Sequence, residues 1–252
     1  MYPTNITDSQ WEVISSLFDT QRKRKYSLLE IINAIFYLTR SGVQWRMLPK
    51  DFPPYGIVYY YFRSWQTSGL WERINRHVVE QERIKQDRLA SPSVGIIDSQ
   101  SIKNRERGLG DKGFDGHKKI KGRKRHLIID SLGLVLAVMV GPANNHDACA
   151  AKILLQKLAL VGFERMKIII GDGAYEHLAD WLKEKLKWVL QVFKRSDTAK
   201  TPFEVLPQRW KVERTISWLM WSRRLSLDYE ADTKTSETFV LIANIHLILR
   251  KT

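Results

Sequence analysis

The 252-residue chain has a single cysteine, Cys149. One thiol excludes a disulfide framework and a cysteine-based zinc site, and it fits a reducing compartment. No run of 18 or more apolar residues occurs, so no segment has the pattern of a transmembrane helix. The opening residues, MYPTNITDSQ, lack the basic region and apolar segment of a secretory leader, and the expected location is the cytoplasm. Internal repeats and low-complexity tracts are missing as well. Negative charge is scarce: 27 acidic residues face 41 basic ones, a net charge of +14 with a pI of about 9.8. An excess of that size points to a polyanionic partner, nucleic acid ahead of an anionic membrane.

What is present is the material of a folded protein. The chain is 44% hydrophobic with nine tryptophans, and its length suits one large domain with a small one. The positive charge is concentrated. Lys103 to Arg125 holds ten Lys or Arg against three Asp or Glu, about half of the net excess.

The first third reads as helical. Thr7-Asp8-Ser9-Gln10 is a capping box ahead of Trp11, Val13, Ile14 and Leu17. Ser27 to Arg40 keeps helical apolar spacing and stops at Gly42. A proline-rich connection, VQWRMLPKDFPPYG, leads to Ile57–Trp65, read as helix because Val58, Phe62 and Trp65 share a face. Leu70 to about Leu89 turns strongly charged after Arg76 and reads as an exposed helical connector. Residues 1–75 are therefore expected to be a small all-helical, helix-turn-helix-like domain whose layout is compatible with DNA binding, with 76–93 a connector.

After Ser91-Pro92-Ser93 the periodicity changes. Short apolar runs stand at Val94–Ile97, Leu127–Ile129, Leu134–Val140, Lys167–Ile170 and Val189–Phe193, with helical patterns at 147–160, 177–186, 209–224 and 235–249. Such an order predicts a mixed α/β domain over 94–252, with a hairpin at Ser131-Leu132-Gly133.

Three acids stand out by position. Asp98 ends the first apolar run, Asp172 ends a later one between two glycines, and Glu213 lies at the edge of the helical stripe Val212, Ile216 and Leu219. A buried acid at a strand end costs free energy unless a metal ion or a hydrogen-bond network meets its charge. Carboxylates suit hard divalent cations, and two such ions can serve an in-line phosphoryl displacement. The plainer readings stay open: Asp98 and Asp172 as turn formers, Glu213 paired with Arg209 one turn back, and Asp130 as a rival ligand at another strand end. The basic run 116–126, with Lys118, Lys119, Lys121, Arg123, Lys124 and Arg125, is expected to track a phosphate backbone beside the acids. Arg223-Arg224 and Lys194-Arg195 extend that surface.

The stretches IIDSQSIK, GHKKIKGRKRHLIIDSLGLVLAVMV, IIIGDGAY and RWKVERTISWLMWSRRLSLDYE resemble the DDE transposases of bacterial insertion sequences, specifically the insertion-sequence five group. DSQWEVI and AIFYLTRSGVQWRMLPKDFPPYGIVYYYFRSW are similar to that group's N-terminal domain. The resemblance implies an RNase H-like catalytic domain in which Asp98, Asp172 and Glu213 hold Mg²⁺ or Mn²⁺, two ions together. It implies binding of the terminal inverted repeats, hydrolytic nicking of the ends, and attack of the freed 3′-hydroxyls on target DNA, in a homodimer assembled on DNA. Arg209 matches the arginine of the wider superfamily's Tyr-Arg-Glu-Lys signature, whereas Leu206 and Met220 replace its Tyr and Lys. Arg223 or Arg224 could take over that lysine's contact with DNA ends. A spacing of 41 between Asp172 and Glu213 leaves no room for the large inserted domain of some relatives. A catalytically silent DNA-binding derivative and an RNase H-like nuclease are the competing readings.

Overall fold

The computed structural model describes residues 1–19, 22–104, 111–193 and 209–251, with Arg209 described by its backbone alone. Four helices come first: α1 (Asp8–Ser15), α2 (Leu28–Ser41), α3 (Tyr55–Thr67) and α4 (Leu70–Lys85). The α1 cap is the expected box, with Thr7 accepting from Gln10 N and Gln10 reaching back to Thr7 N. Ser27 and Glu30 form a second such box on α2. Gly42 ends α2 with φ 74°, a left-handed conformation that glycine adopts without strain. Its missing Cβ also lets residues 223–225 approach, since a Cβ there would meet Arg223 Cβ at 3.0 Å.

The α4 helix is no exposed connector. Trp71, Ile74, Val78 and Val79 are buried, and so are Glu82 and Arg83. Its charge-rich second half misled the pattern because the apolar residues still hold one face at helical spacing. Asn75 donates to Val135 O (2.8 Å) and accepts from Asn244 (2.7 Å), and Arg83 pairs with the fully buried Asp130. The helical segment and the α/β segment thus share one continuous core.

The sheet contains β1 (Val94–Lys103), β2 (Gly113–Asp115), β3 (Ile120–Ile129), β4 (Val135–Pro142), β5 (Ile168–Asp172) and β6 (Val189–Phe193). Between and after the later strands come α5 (Asp147–Val161), α6 (Ala179–Lys185), α7 (Arg209–Met220) and α8 (Thr233–Leu249), with 3₁₀ turns at Gly173–Leu178 and Arg223–Leu225. The long strand β3 runs antiparallel to β1 on one edge and to β4 and β2 on the other; β5 and β6 continue from β1 in parallel. Order β4-β3-β1-β5-β6, with β3 running opposite to the other four, is the mixed, helix-flanked sheet of an RNase H-like domain.

Two strands exceed the apolar runs that announced them. The β1 strand continues five residues past Asp98, paired with β3 as far as Lys103↔Gly122, so Asp98 is internal to it. The β3 strand begins at Ile120 and takes in the basic residues up to His126.

Candidate active site

The β3 strand is covered on both faces, which decides what its charges do. Side chains alternate across a strand. Arg123 and Arg125 point toward α8 and the end of α7, Lys124 and His126 toward the start of α5. Arg123 is wholly buried and donates to Asp228 Oδ1 (3.2 Å), Glu230 O (2.7 Å), Ser236 Oγ (3.2 Å), Ala231 O (2.8 Å) and Asp111 O (3.1 Å). Arg125 donates to Leu225 O (2.8 Å) and lies against Met220 Sδ (3.9 Å); burial lowers its pKa to about 10. Lys124 binds Asp147 Oδ1 (3.0 Å), with Asp115 at 3.8 Å. Arg224 is buried too, bound to Glu230 Oε1 (2.6 Å) and Val43 O (3.0 Å), with its guanidinium over the Phe239 ring.

These four cations, expected on the DNA surface, are internal braces, because a buried charge is tolerated only when paired and hydrogen-bonded. Lys118, Lys119, Lys121 and Arg223 are exposed as expected. Lys118 Nζ reaches Ser99 O (3.3 Å), one residue past Asp98. Lys119 holds φ 51° in the turn between β2 and β3. Leu206, Lys194 and Arg195 lie outside the described residues, as does the Arg209 side chain.

Asp98 and Asp172 are brought together. The last registered pair between β1 and β5 is Ile96↔Ile170, and each aspartate lies two residues further on. Asp98 pairs with Leu127, and cross-strand partners share a face, so it stands on the Arg123–Arg125 side of the sheet, toward α7. Both aspartates line one cleft with Ile96, Ile97, Ile170, Gly171, Phe193 and Val212 of α7. Its volume is about 20 Å³, room for a water or a single ion but not for a nucleotide. Asp98 Oδ1 accepts from Ser99 N (2.7 Å) and Asp172 Oδ1 from Ala174 N (3.0 Å), which holds both carboxylates in place.

Glu213 is not gathered in. It lies on the exposed side of α7, one residue from the fully buried Val212. Among the described residues no three His, Cys, Asp or Glu side chains form a metal-binding group. Asp130 is fully buried and is removed as a rival ligand. It pairs with Arg83 and accepts from Leu132 N and Leu134 N (both 2.9 Å) at the β3–β4 hairpin.

Tyr175 and Asp147 were not anticipated. Tyr175 is buried, and a Cβ on Gly171 would meet its ring at 2.9 Å, so the glycine before Asp172 makes room for it. Burial pushes the Tyr175 hydroxyl well above its ordinary pKa, and the negative charges of Asp98, Asp147 and Asp172 push it further. Asp147 is salt-bridged to Lys124 on the α5 side of the sheet and does not line the cleft, so Asp98 and Asp172 are the two carboxylates there, donors that suit a hard divalent cation. The run GDGAY was the available signal for Tyr175; Asp147 read only as a helix start.

The chain matches the family model "Transposase DDE domain" over residues 89–248, well over half its length. It belongs to the DDE transposases. Residues 6–75 match a second model, "Putative transposase of IS4/5 family". The transposase is thus of a family that cleaves and joins DNA strands with divalent metals, and its macromolecular partner is DNA. None of the curated proteins compared with it matches. A solved structure with some likeness is "Crystal structure of the Mos1 Strand Transfer Complex", at 11% identity and a TM-score of 0.30, over 93% of this chain and 81% of that one. A likeness that slight carries no argument. No helix among the described residues is long and apolar enough to cross a membrane.

Proposed function

We propose that the transposase binds the terminal inverted repeats of its insertion sequence, cleaves the DNA ends and transfers the 3′-hydroxyl ends to target DNA by in-line phosphoryl transfer. The observation that carries this reading is the convergence of Asp98 and Asp172, from adjacent parallel strands, on one cleft beside α7. Those two carboxylates, with Glu213 one residue from the cleft wall, are the groups that would hold Mg²⁺ or Mn²⁺, two ions being the family pattern. When bound, such ions supply the positive charge that activates the attacking oxygen and stabilises the leaving one.

The residues of the chain do the positioning. Backbone amides of Ser99 and Ala174 orient the carboxylates, and the buried Tyr175, kept protonated, packs against Gly171 next to Asp172. Lys118, beside Asp98, meets the phosphate backbone with Lys119, Lys121 and Arg223. Arg209 joins them by its place in the signature. The 1–75 helices supply end recognition, with the outer face of α3 (Tyr59, Tyr60 and Arg63) open to DNA. The working unit is a homodimer that joins two ends, acting on the nucleoid in the cytoplasm.

The test is cleavage and strand transfer on DNA carrying the element's own ends, with and without Mg²⁺, comparing wild type with Asp172→Asn. Loss of both reactions is expected, by more than the roughly hundredfold that removing an outer partner of a metal ligand can cost. Cleavage unaffected by the substitution would overturn the assignment.

A further inference from the structure

A second cavity lies at the C-terminal end of α7, where Trp218 stands five residues past Glu213, about 7.5 Å along the helix at 1.5 Å per residue. It is lined by Arg40 from the last turn of α2, Trp218 and Trp221 at the end of α7, and His246, Arg250 and Lys251 at the end of α8. Its volume is about 390 Å³, within the range of small-ligand pockets. Among the described residues no carboxylate lines it. His246 is held neutral, its pKa lowered to about 4 by burial and by Arg250.

Cations at helix C-termini ordinarily offset the negative end of the helix. That accounts for Arg40, Arg250 and Lys251 one at a time, but not for three of them around a shared hollow. Burial, and then the charge of Arg250, lowers the pKa of Arg40. Trp218 already carries Lys251 on its ring, 4.9 Å from the centroid. Trp221 is 59% exposed and offers an indole beside the cations. A cationic groove with an open aromatic face is the chemistry that holds an unpaired nucleotide: phosphate on the charges, base on the ring.

We infer that this cavity binds a single-stranded stretch of DNA as it leaves the Asp98–Asp172 cleft, with its phosphates on Arg40, Arg250 and Lys251 and one unstacked base on Trp221. The inference rests on the reading that the substrate is DNA, and it involves no bond making or breaking.

The experiment measures binding of a labelled mixed-sequence single strand, and of its duplex, by fluorescence anisotropy in EDTA over a range of salt. The proteins are wild type, Trp221→Ala, Trp221→Phe, Arg250→Gln/Lys251→Gln and Asp172→Asn. Losing two phosphate contacts should flatten the slope of log affinity against log salt by about 1.4 for the single strand. Trp221→Ala should weaken single-strand binding about tenfold and leave duplex binding within about twofold, with Trp221→Phe close to wild type. The Trp221, Arg250 and Lys251 side chains are exposed, so melting temperatures of those variants should match wild type. Unchanged affinity and slope in both sets of variants would overturn the inference, as would an equal loss for single strand and duplex in Trp221→Ala. Asp172→Asn should bind the strand as wild type does. If that variant still cleaves DNA, the catalytic assignment fails while the binding result stands on its own.

Discussion

Replacing Arg123 by methionine separates a brace from a DNA contact. The substitution keeps most of the side chain's volume and removes its charge and donors. Asp228, also fully buried, then loses its ion pair, and the carbonyls of Asp111, Glu230 and Ala231 lose their donor. Breaking a buried pair from one side costs about 3–5 kcal/mol, because an uncompensated charge stays behind. That is a large share of a total stability of about 5–15 kcal/mol. For a chain of this size it should lower the melting temperature by roughly 10 °C. The assay is urea and thermal unfolding followed by circular dichroism, with Arg123→Met/Asp228→Leu completing a double-mutant cycle. The double variant should recover part of the loss, since no buried charge is left alone. If Arg123→Met is as stable as wild type yet loses DNA affinity, Arg123 meets phosphate and the bracing role is wrong.

Three further outcomes are expected. Burial lowers the pKa of His126, as of His246, to about 4, so the unfolded chain takes up protons that the folded one refuses. Their stabilisation, on the order of 3 kcal/mol each, is present above about pH 6.5 and lost as pH falls toward 4; urea midpoints across that window in wild type and His126→Gln check it, and equal acid sensitivity would exclude His126. Replacing Lys118, Lys119 and Lys121 together by alanine should leave the melting temperature within about 2 °C of wild type and flatten the salt dependence of duplex binding by about 2.7; an unchanged slope would remove this turn from the DNA surface. A Cβ at Gly122 would fall 2.1 Å from Ile102 O and 2.7 Å from Asn104 N, both backbone atoms. Gly122→Ala should therefore cost about 3 kcal/mol by forcing β1 and β3 apart, measured by thermal unfolding, and a neutral result would contradict that close approach.

Sequence alone determined the helical first third, the change to α/β periodicity after Ser93, the positions of Asp98 and Asp172 and the need for a polyanionic partner. Those features are local: a capping box, an apolar run or a glycine-flanked acid shows itself within a few residues. Tertiary structure alone decided the rest. Ile120–His126 reads as a basic run that tracks a phosphate backbone until both faces of β3 are covered. Most of the groups that meet Arg123 and Arg125 come from 220–236, about a hundred residues away. The second half of α4 was misjudged for the same reason, since Arg83 finds Asp130 only after the β3–β4 hairpin folds beside it. Asp98 and Asp172 were legible as two acids, but their meeting depends on the parallel pairing of β1 with β5, a contact 74 residues apart in sequence. A charge is internal or external according to what packs on it, and packing between distant segments leaves no trace in local spacing.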